Sequence, residues 1–217
     1  MGKTNKQTTT SATSSMREQI HEFKKNQVLN EAAALFYSEG YHATTLSAIA
    51  DRLGVTKPFI YYHFENKAEI LAELCRPVIK QVNRTLDDAI NAEGSAATRL
   101  YQAIVSITEA TLQNQRITTI YFREEKNFTP EAITELNQMR KSFDNKLRIL
   151  LDEGIDKGEF HITDSRFCAQ AISGMINWSF RWFNPEGRLT MLEASHQMAQ
   201  LALQMVATHA TSVSAYK

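Results

Sequence analysis

Residues 44–70, TTLSAIADRLGVTKPFIYYHFENKAEI, constrain this chain's fold more than any other stretch, because they spell two short helices joined by a tight turn. Thr45 is a good N-cap, and Leu46, Ile49, Ala50 and Leu53 follow at i, i+3, i+4 and i+7 on one helical face. Gly54 ends that helix where a left-handed residue is needed. Val55 supplies an apolar plug, Thr56 caps the next helix, and Pro58 falls in its first turn, where a missing N–H costs little. The second helix presents Lys57, Phe59, Tyr61, Tyr62 and His63 around an inward Ile60 and Phe64. Two helices joined by a short Gly turn form the motif that lays its second helix in a DNA major groove. The plain alternative is an ordinary helical corner.

From about Asn26 to Leu71 the chain resembles the DNA-binding domain of the tetracycline-repressor (TetR) family of bacterial one-component regulators. Ala33, Phe36, Gly40, Tyr41, Thr44, Thr45, Ile49, Ala50, Gly54, Val55, Thr56, Lys57, Ile60, Tyr61, Phe64, Asn66, Lys67 and Leu71 carry the likeness. Pro58 and Phe59 depart from it, standing where smaller or hydroxyl residues are common. The resemblance implies that Lys57, Tyr61, Tyr62, His63 and Lys67 mostly touch the DNA backbone. Thr45 and Thr56, at helix N-termini, can offer hydroxyl and N–H groups to phosphate. Base reading then falls to Phe59 and Pro58 against thymine methyls and Lys57 against a guanine edge.

Composition neither helps nor hinders this reading. The 217 residues carry 24 basic and 24 acidic side chains, and residues 1–70 hold eight Lys/Arg against seven Asp/Glu. DNA binding must rest on a few well-aimed contacts, so non-specific affinity should be modest. Cys75 and Cys168 lie far apart in helical patterns and read as small buried hydrophobes. With no long apolar run and no signal-peptide pattern, the expectation is a soluble, cytoplasmic protein with no membrane partner. Four prolines, eight glycines and no alternating strand pattern predict an all-α chain.

The Ser/Thr-rich residues 1–14 read as a disordered tail, with Lys3 and Lys6 able at most to brush DNA. Ser15-x-x-Glu18 is a capping-box signature for a first helix ending near Glu39. Asn66-x-x-Glu69 opens a fourth helix to about Asn91, with a kink expected at Pro77, a candidate hinge or a plain packing feature. Further helices are expected from Ser95 to Asn114, over 116–126, from Thr129-Pro130 to near Gly158, from Asp164 to Phe183, and after the Thr190-x-x-Glu193 capping box. This gives a helix-turn-helix domain over 15–70 and a ligand-binding and dimerisation domain over 71–217. Nine helices match the architecture that the resemblance implies.

The eighth helix is apolar on two sides. Phe167, Ala171, Met175, Trp178 and Trp182 form one stripe, and Cys168, Ile172, Ile176 and Phe180 another. Such a helix has one side for its own core and one for a partner. The ninth adds Ala194, Met198, Leu201, Ala202 and Met205. The resemblance implies a homodimer through a four-helix bundle, and a twofold dimer doubles the DNA site read. Phe167, Ile172, Ile176, Met198, Leu201 and Met205 are the interface candidates.

The chamber implied for the C-terminal domain has wall candidates in Ile104, Thr108, Leu112, Tyr121, Phe122, Met139, Phe143, Met175 and Trp178, with Arg123, Asn177 and Arg181 as the polar group. YFREEKNF (121–128) and GMINWSFRWFNPEGRLT (174–190) resemble a subgroup that senses acyl-coenzyme A thioesters. An acyl chain needs an apolar tunnel and phosphates need cations at its mouth, where Arg181 and Arg188 beside Trp178 and Trp182 are candidates. A regulator of efflux or stress genes that senses drugs or free fatty acids is the alternative, and a helical adaptor without DNA binding a remoter one. The expected function is repression relieved by a small molecule at a pseudo-palindromic operator. Enzyme motifs are missing: no GxSxG, P-loop, GxGxxG or HExxH occurs. The six histidines have no metal-ligand spacing, adjacent Glu124 and Glu125 point to different faces, and no cofactor is expected.

Overall fold

A computed structural model describes the backbone of residues 7–207 and the side chains of residues 16–207. Among these residues the regular structure is helical, with no strand: α1 (Gln7–Ser38), α2 (Leu46–Leu53), α3 (Lys57–His63), α4 (Lys67–Asn91), α5 (Ala96–Gln113), α6 (Gln115–Arg123), a 3-10 turn (Glu125–Asn127), α7 (Pro130–Asp156), α8 (Ser165–Trp182) and α9 (Met191–Val206). The all-α architecture with nine α-helices is the one expected. None of these helices is long and apolar enough to cross a membrane.

Two ends differ from expectation. α1 is already under way at Gln7, so Ser15 lies inside it instead of capping it. Residues 7–15 contain no Gly or Pro, and lengthening a nucleated helix is cheap compared with starting one. Residues 1–6 of the expected tail, with Lys3 and Lys6, lie outside the described residues. α6 stops at Arg123, where the chain tightens into the 3-10 turn through the bond from Asn127 N–H to Glu124 C=O at 2.8 Å.

The chain divides into two compact units, and the division falls inside α4 between Leu74 and Cys75, just before Pro77. The first unit holds the described residues up to Leu74 together with Arg123–Thr129. Its core is Val28, Ala32, Leu35 and Phe36 of α1, Ile49 and Ala50 of α2, Ile60 of α3, then Phe64, Ile70 and Leu71. Those positions follow helical spacing, so α1 packs on α2 and α2 on α3 through apolar stripes.

In the second unit, α5 lies against α9, α7 and α8, and α7 against α8. Leu86, Leu100, Ile104, Ile107, Leu147, Leu150, Leu151, Ile172, Ile176 and Met198 fill the space between them, and Ala103, Ala199 and Ala202 let the helices approach closely. Buried Arg99 donates to the Ala89 and Ile90 carbonyls at 3.2 and 3.1 Å, which α4 leaves unpaired at its C-terminal end, and also pairs with Glu153. α4 and α7 are clasped along their length. Arg76 forks onto Glu135 with two bonds of 2.8 Å, Asn83 donates to the Met139 carbonyl at 3.1 Å, and Lys146 reaches Asp87 at 2.7 Å. This clasp frames the cavity described below.

Candidate nucleic-acid interface and effector chamber

In the first unit α2 and α3 form the expected helix-turn-helix. Thr45 Oγ1 accepts from Ala48 N–H at 3.0 Å, which leaves its hydroxyl hydrogen free to donate. Gly54 adopts φ 65°, ψ 30°, and its N–H reaches the Ala50 and Asp51 carbonyls. Any residue with a Cβ is strained there. Thr56 caps α3 without a side-chain bond, and Pro58 sits at its start. Ile60 is buried, which turns Lys57, Pro58, Tyr61 and Tyr62 outward, Tyr62 being 74% exposed. Lys57 Nζ lies 5.7 Å from the Tyr61 ring centroid. Phe59 is half-buried, edge-on to His63, with Lys24 Nζ of α1 5.8 Å above it.

Two of the nine DNA-contact candidates are turned inward. Lys67 Nζ donates to the carbonyls of Tyr41 and Thr44, with a longer reach to His42, and lies 4.3 Å from the Tyr41 ring centroid. The turn between α1 and α2 has carbonyls that no local N–H reaches, and the lysine satisfies them instead of a phosphate. Buried Glu124 faces the same cluster, opposing the effect of burial that lowers the Lys67 pKa and adding to the burial that raises that of Tyr41. Glu125 is exposed, so the adjacent carboxylates do point apart.

His63 is the other. Its two ring nitrogens are buried without a hydrogen-bond partner, 4.6 Å between ring centroids from His21 and packed on Phe59 and Tyr62. Burial first, then the charges of His21, Lys24 and Lys25 on α1, push its pKa below 6.5, with Glu22 pulling the other way. The unfolded chain therefore binds this proton more readily than the folded one. The stability held by neutral His63 is full above pH 6.5 and is lost as pH falls from there through the folded value. Wild type should lose more melting temperature between pH 7.5 and 5.5 than His63→Gln does. Equal losses would mean that this imidazole does not titrate against folding.

The second unit contains a cavity of 360 Å³. Its walls come from α4 (Cys75, Val78, Ile79, Val82), α5 (Ile107, Thr111), α6 (Ile117, Thr118, Tyr121, Phe122), α7 (Arg140, Phe143) and α8 (Gly174, Asn177, Trp178). Phe122 stacks on Phe180 with ring centroids 5.3 Å apart, and Trp178 meets Phe180 edge-on at 6.2 Å. Thr111, Thr118, Tyr121, Asn177 and Arg140 are the polar groups of a lining that is otherwise almost wholly apolar. Burial pushes the Cys75 thiol up to about 12, so it is a neutral wall atom and no nucleophile.

Of the expected ligand residues, Tyr121, Phe143, Asn177 and Trp178 are brought together here, with Phe122. Thr108 and Ile104 are fully buried outside the lining, and Leu112 packs with Phe183 and Ala194. Met175 packs on the main core, and Met139 meets α4 through its carbonyl. Arg181, Trp182 and Arg188 lie beyond the cavity, because each turn of α8 carries a side chain another 5.4 Å along. Arg123 belongs to the first unit, where its guanidinium donates to the Phe36 and Tyr37 carbonyls at the end of α1 and to Glu124 at 2.9 Å. The α4 stripe and Arg140 were not anticipated. The stripe does show helical spacing around Pro77, but so does any core helix.

The two stripes of α8 separate except at Ala171 and Met175, which are half-buried. Cys168, Ile172, Ile176 and Phe180 are buried, whereas Phe167 is 70%, Trp178 60% and Trp182 51% exposed. On α9, Met198 is buried, while Leu201 and Met205 are 48% and 40% exposed. Ile172, Ile176 and Met198 are thus core residues in place of interface candidates, since α8 packs on α5 and α7, α9 packs on α5, and all three side chains lie in the core between them. Among the described residues no group of His, Cys, Asp and Glu is placed to hold a metal ion.

Comparison with known proteins agrees with this geometry. Residues 28–74 match the model for bacterial regulatory proteins of the tetR family, and residues 93–206 the tetracyclin repressor-like C-terminal domain. The transcriptional repressor KstR2 of Mycobacterium tuberculosis is 26% identical over 182 residues, covering 83% of this chain and 91% of that one. The fatty acid metabolism regulator protein of Bacillus subtilis is 25% identical over 180 residues, 82% of this chain and 93% of that one. Among solved structures, the regulator PfmR of Thermus thermophilus superposes with a TM-score of 0.76 at 28% identity, covering 81% of this chain and 96% of that chain.

Proposed function

Because the chain belongs to the TetR family of bacterial regulatory proteins, which are regulators and not enzymes, we propose that it is a cytoplasmic repressor, binding a pseudo-palindromic operator as a homodimer and released by an acyl effector, an acyl-coenzyme A thioester first. Thr45, Thr56, Lys57, Pro58, Phe59, Tyr61 and Tyr62 meet the DNA, with Thr45, Thr56 and Lys57 on phosphates and Phe59 and Pro58 on thymine methyls. The observation that carries the reading is chain continuity. α4 starts in the first unit and lines the cavity with Cys75, Val78, Ile79 and Val82, while α6 lines it with Tyr121 and Phe122 and ends on Arg123, which holds the last carbonyls of α1. An occupant that favours one setting of α4 and α6 therefore biases the DNA-binding unit, and linkage makes DNA weaken the effector by the same factor.

An apolar cavity with few polar groups suits an acyl chain. The relative named for fatty acid metabolism in Bacillus subtilis supports the same class. In a thermal-shift panel of acyl-CoAs, free fatty acids and hydrophobic drugs, an acyl-CoA at about a hundred times its Kd should raise the melting temperature by roughly 5–10 °C. Silence from every thioester, with a response to drugs or free acids, would replace the thioester reading with the drug- or acid-sensing one.

The dimer rests on the exposed stripe of Phe167, Trp178, Trp182, Leu201 and Met205. Burying each such side chain contributes about 1.5–3 kcal/mol, enough together to offset the cost of association. Phe167→Glu with Leu201→Glu should sediment as a folded 24.6 kDa monomer and lose operator binding. A dimer in that variant would place the interface elsewhere.

A further inference from the structure

The cavity is too small for a whole thioester. Its 360 Å³ lies at the small end of the roughly 300–1,000 Å³ of pockets that take drug-sized ligands, and an acyl-coenzyme A is larger than those ligands. The remainder lies outside, and the α7–α8 seam leads toward a place for it. Arg140 and Phe143 of α7 and Gly174, Asn177 and Trp178 of α8 bring the cavity to the α7–α8 seam. Further along the same two helices lies a second, open depression lined by Lys141, Asp144, Asn145 and Arg148 of α7 and Ser165, Arg166 and Gln170 of α8. The bond from Ser173 Oγ to Asp144 at 2.9 Å pins the helices together between the two hollows.

We propose that this depression holds the phosphates of the thioester's coenzyme A portion while the cavity takes only the acyl group, an inference that rests on the acyl-thioester reading above. Charge supports it. Lys141, Arg148 and Arg166 line the depression against a single lining carboxylate, Asp144, with Arg140 on the cavity side, in a chain of zero net charge. Arg148 is engaged by Asp152 and Asn145, whereas Arg140, Lys141 and Arg166 enter no ion pair among the described residues. Arg166 precedes Trp178 by about 18 Å along α8, a span that an extended pantetheine arm of roughly 15–20 Å bridges. Cations left without partners at that distance suit a diphosphate and a 3′-phosphate, which accept several charged hydrogen bonds at once. The arrangement also moves the cationic mouth away from Arg181 and Arg188.

The test is calorimetric titration of the full-length protein with saturated acyl-CoAs and the matching free acids, from four to sixteen carbons. Wild type should bind the best acyl-CoA at least tenfold more tightly than its free acid, with an advantage that shrinks as salt rises. Lys141→Gln with Arg166→Gln should lose most of that advantage, tenfold or more, and keep its affinity for the free acid, which also shows that the variant is folded. A variant that binds acyl-CoA as wild type does overturns the phosphate site and leaves the acyl reading standing. Wild type that binds neither ligand class overturns the acyl reading and the phosphate site with it.

Discussion

A dimer carrying Lys57→Ala and Tyr62→Ala is expected to bind its operator at least a hundredfold more weakly than wild type, with an unchanged melting temperature. Both side chains project from α3 away from the Ile60 core, and Tyr62 only edges onto His21 and His63. Removing them therefore takes away DNA contacts and little packing. Each contact is worth about 1 kcal/mol, and a twofold complex counts every loss twice, so the total comes to roughly 3–4 kcal/mol. The salt dependence should also fall by about two units of slope, one for each lysine removed. Fluorescence anisotropy on a labelled duplex, beside a melting curve, measures all three. Lys67→Ala should behave differently, lowering the melting temperature because three carbonyls lose their donor. Full operator affinity in the Lys57/Tyr62 variant would mean that α3 does not face the DNA.

The second large effect is expected at the effector cavity. Val78→Trp puts an indole into a space of 360 Å³ from a half-buried wall position on α4. The acyl ligand should then lose about a hundredfold or more in affinity, since its volume is already taken. Operator binding should stay within a few-fold of wild type, because an indole carried by α4 itself does not tie α4 to α6 as a bound ligand does. The variant is thus a repressor that no effector removes. Parallel titrations of the DNA complex and of the free protein separate the two effects. Wild-type release by the effector in Val78→Trp would place the ligand outside this cavity.

Local rules made the helix-turn-helix readable. A cap at Thr45, a left-handed Gly54 and an early Pro58 each depend on a few neighbouring atoms, and the structure has all three. The all-α class and the two-sided α8 were readable from periodicity as well. What periodicity does not encode is which apolar stripe faces the chain's own core. For that reason spacing alone groups Ile172, Ile176 and Met198 with Phe167, Leu201 and Met205, and the packing against α5 separates them. The cavity was legible only in part. Tyr121, Phe143, Asn177 and Trp178 line it, but a void is a shortage of neighbours, and Cys75, Val78, Ile79 and Val82 look like any buried stripe. Long cations were the hardest. Lys67 and Arg123 have stems that reach solvent or backbone carbonyls equally well, and the carbonyls left over at the α1–α2 turn and the end of α1 decide for the latter. Arg140, by contrast, reads as a plain surface residue until the cavity beside it is seen.

On the proposed reading, one molecule binds operator DNA and lets it go when a ligand fills the cavity. The most direct measurement is selection of duplexes from a random pool by the purified protein, followed by anisotropy titration of the selected duplex complex with the acyl-CoA series. The expected result is a duplex with two inverted half-sites whose centres lie about 34–36 Å, or a multiple of that, apart. One range of acyl lengths should weaken the complex at least tenfold, and the duplex should weaken that ligand by the same factor. Selection of no duplex, or a complex indifferent to every thioester and free acid that binds the protein, would contradict it.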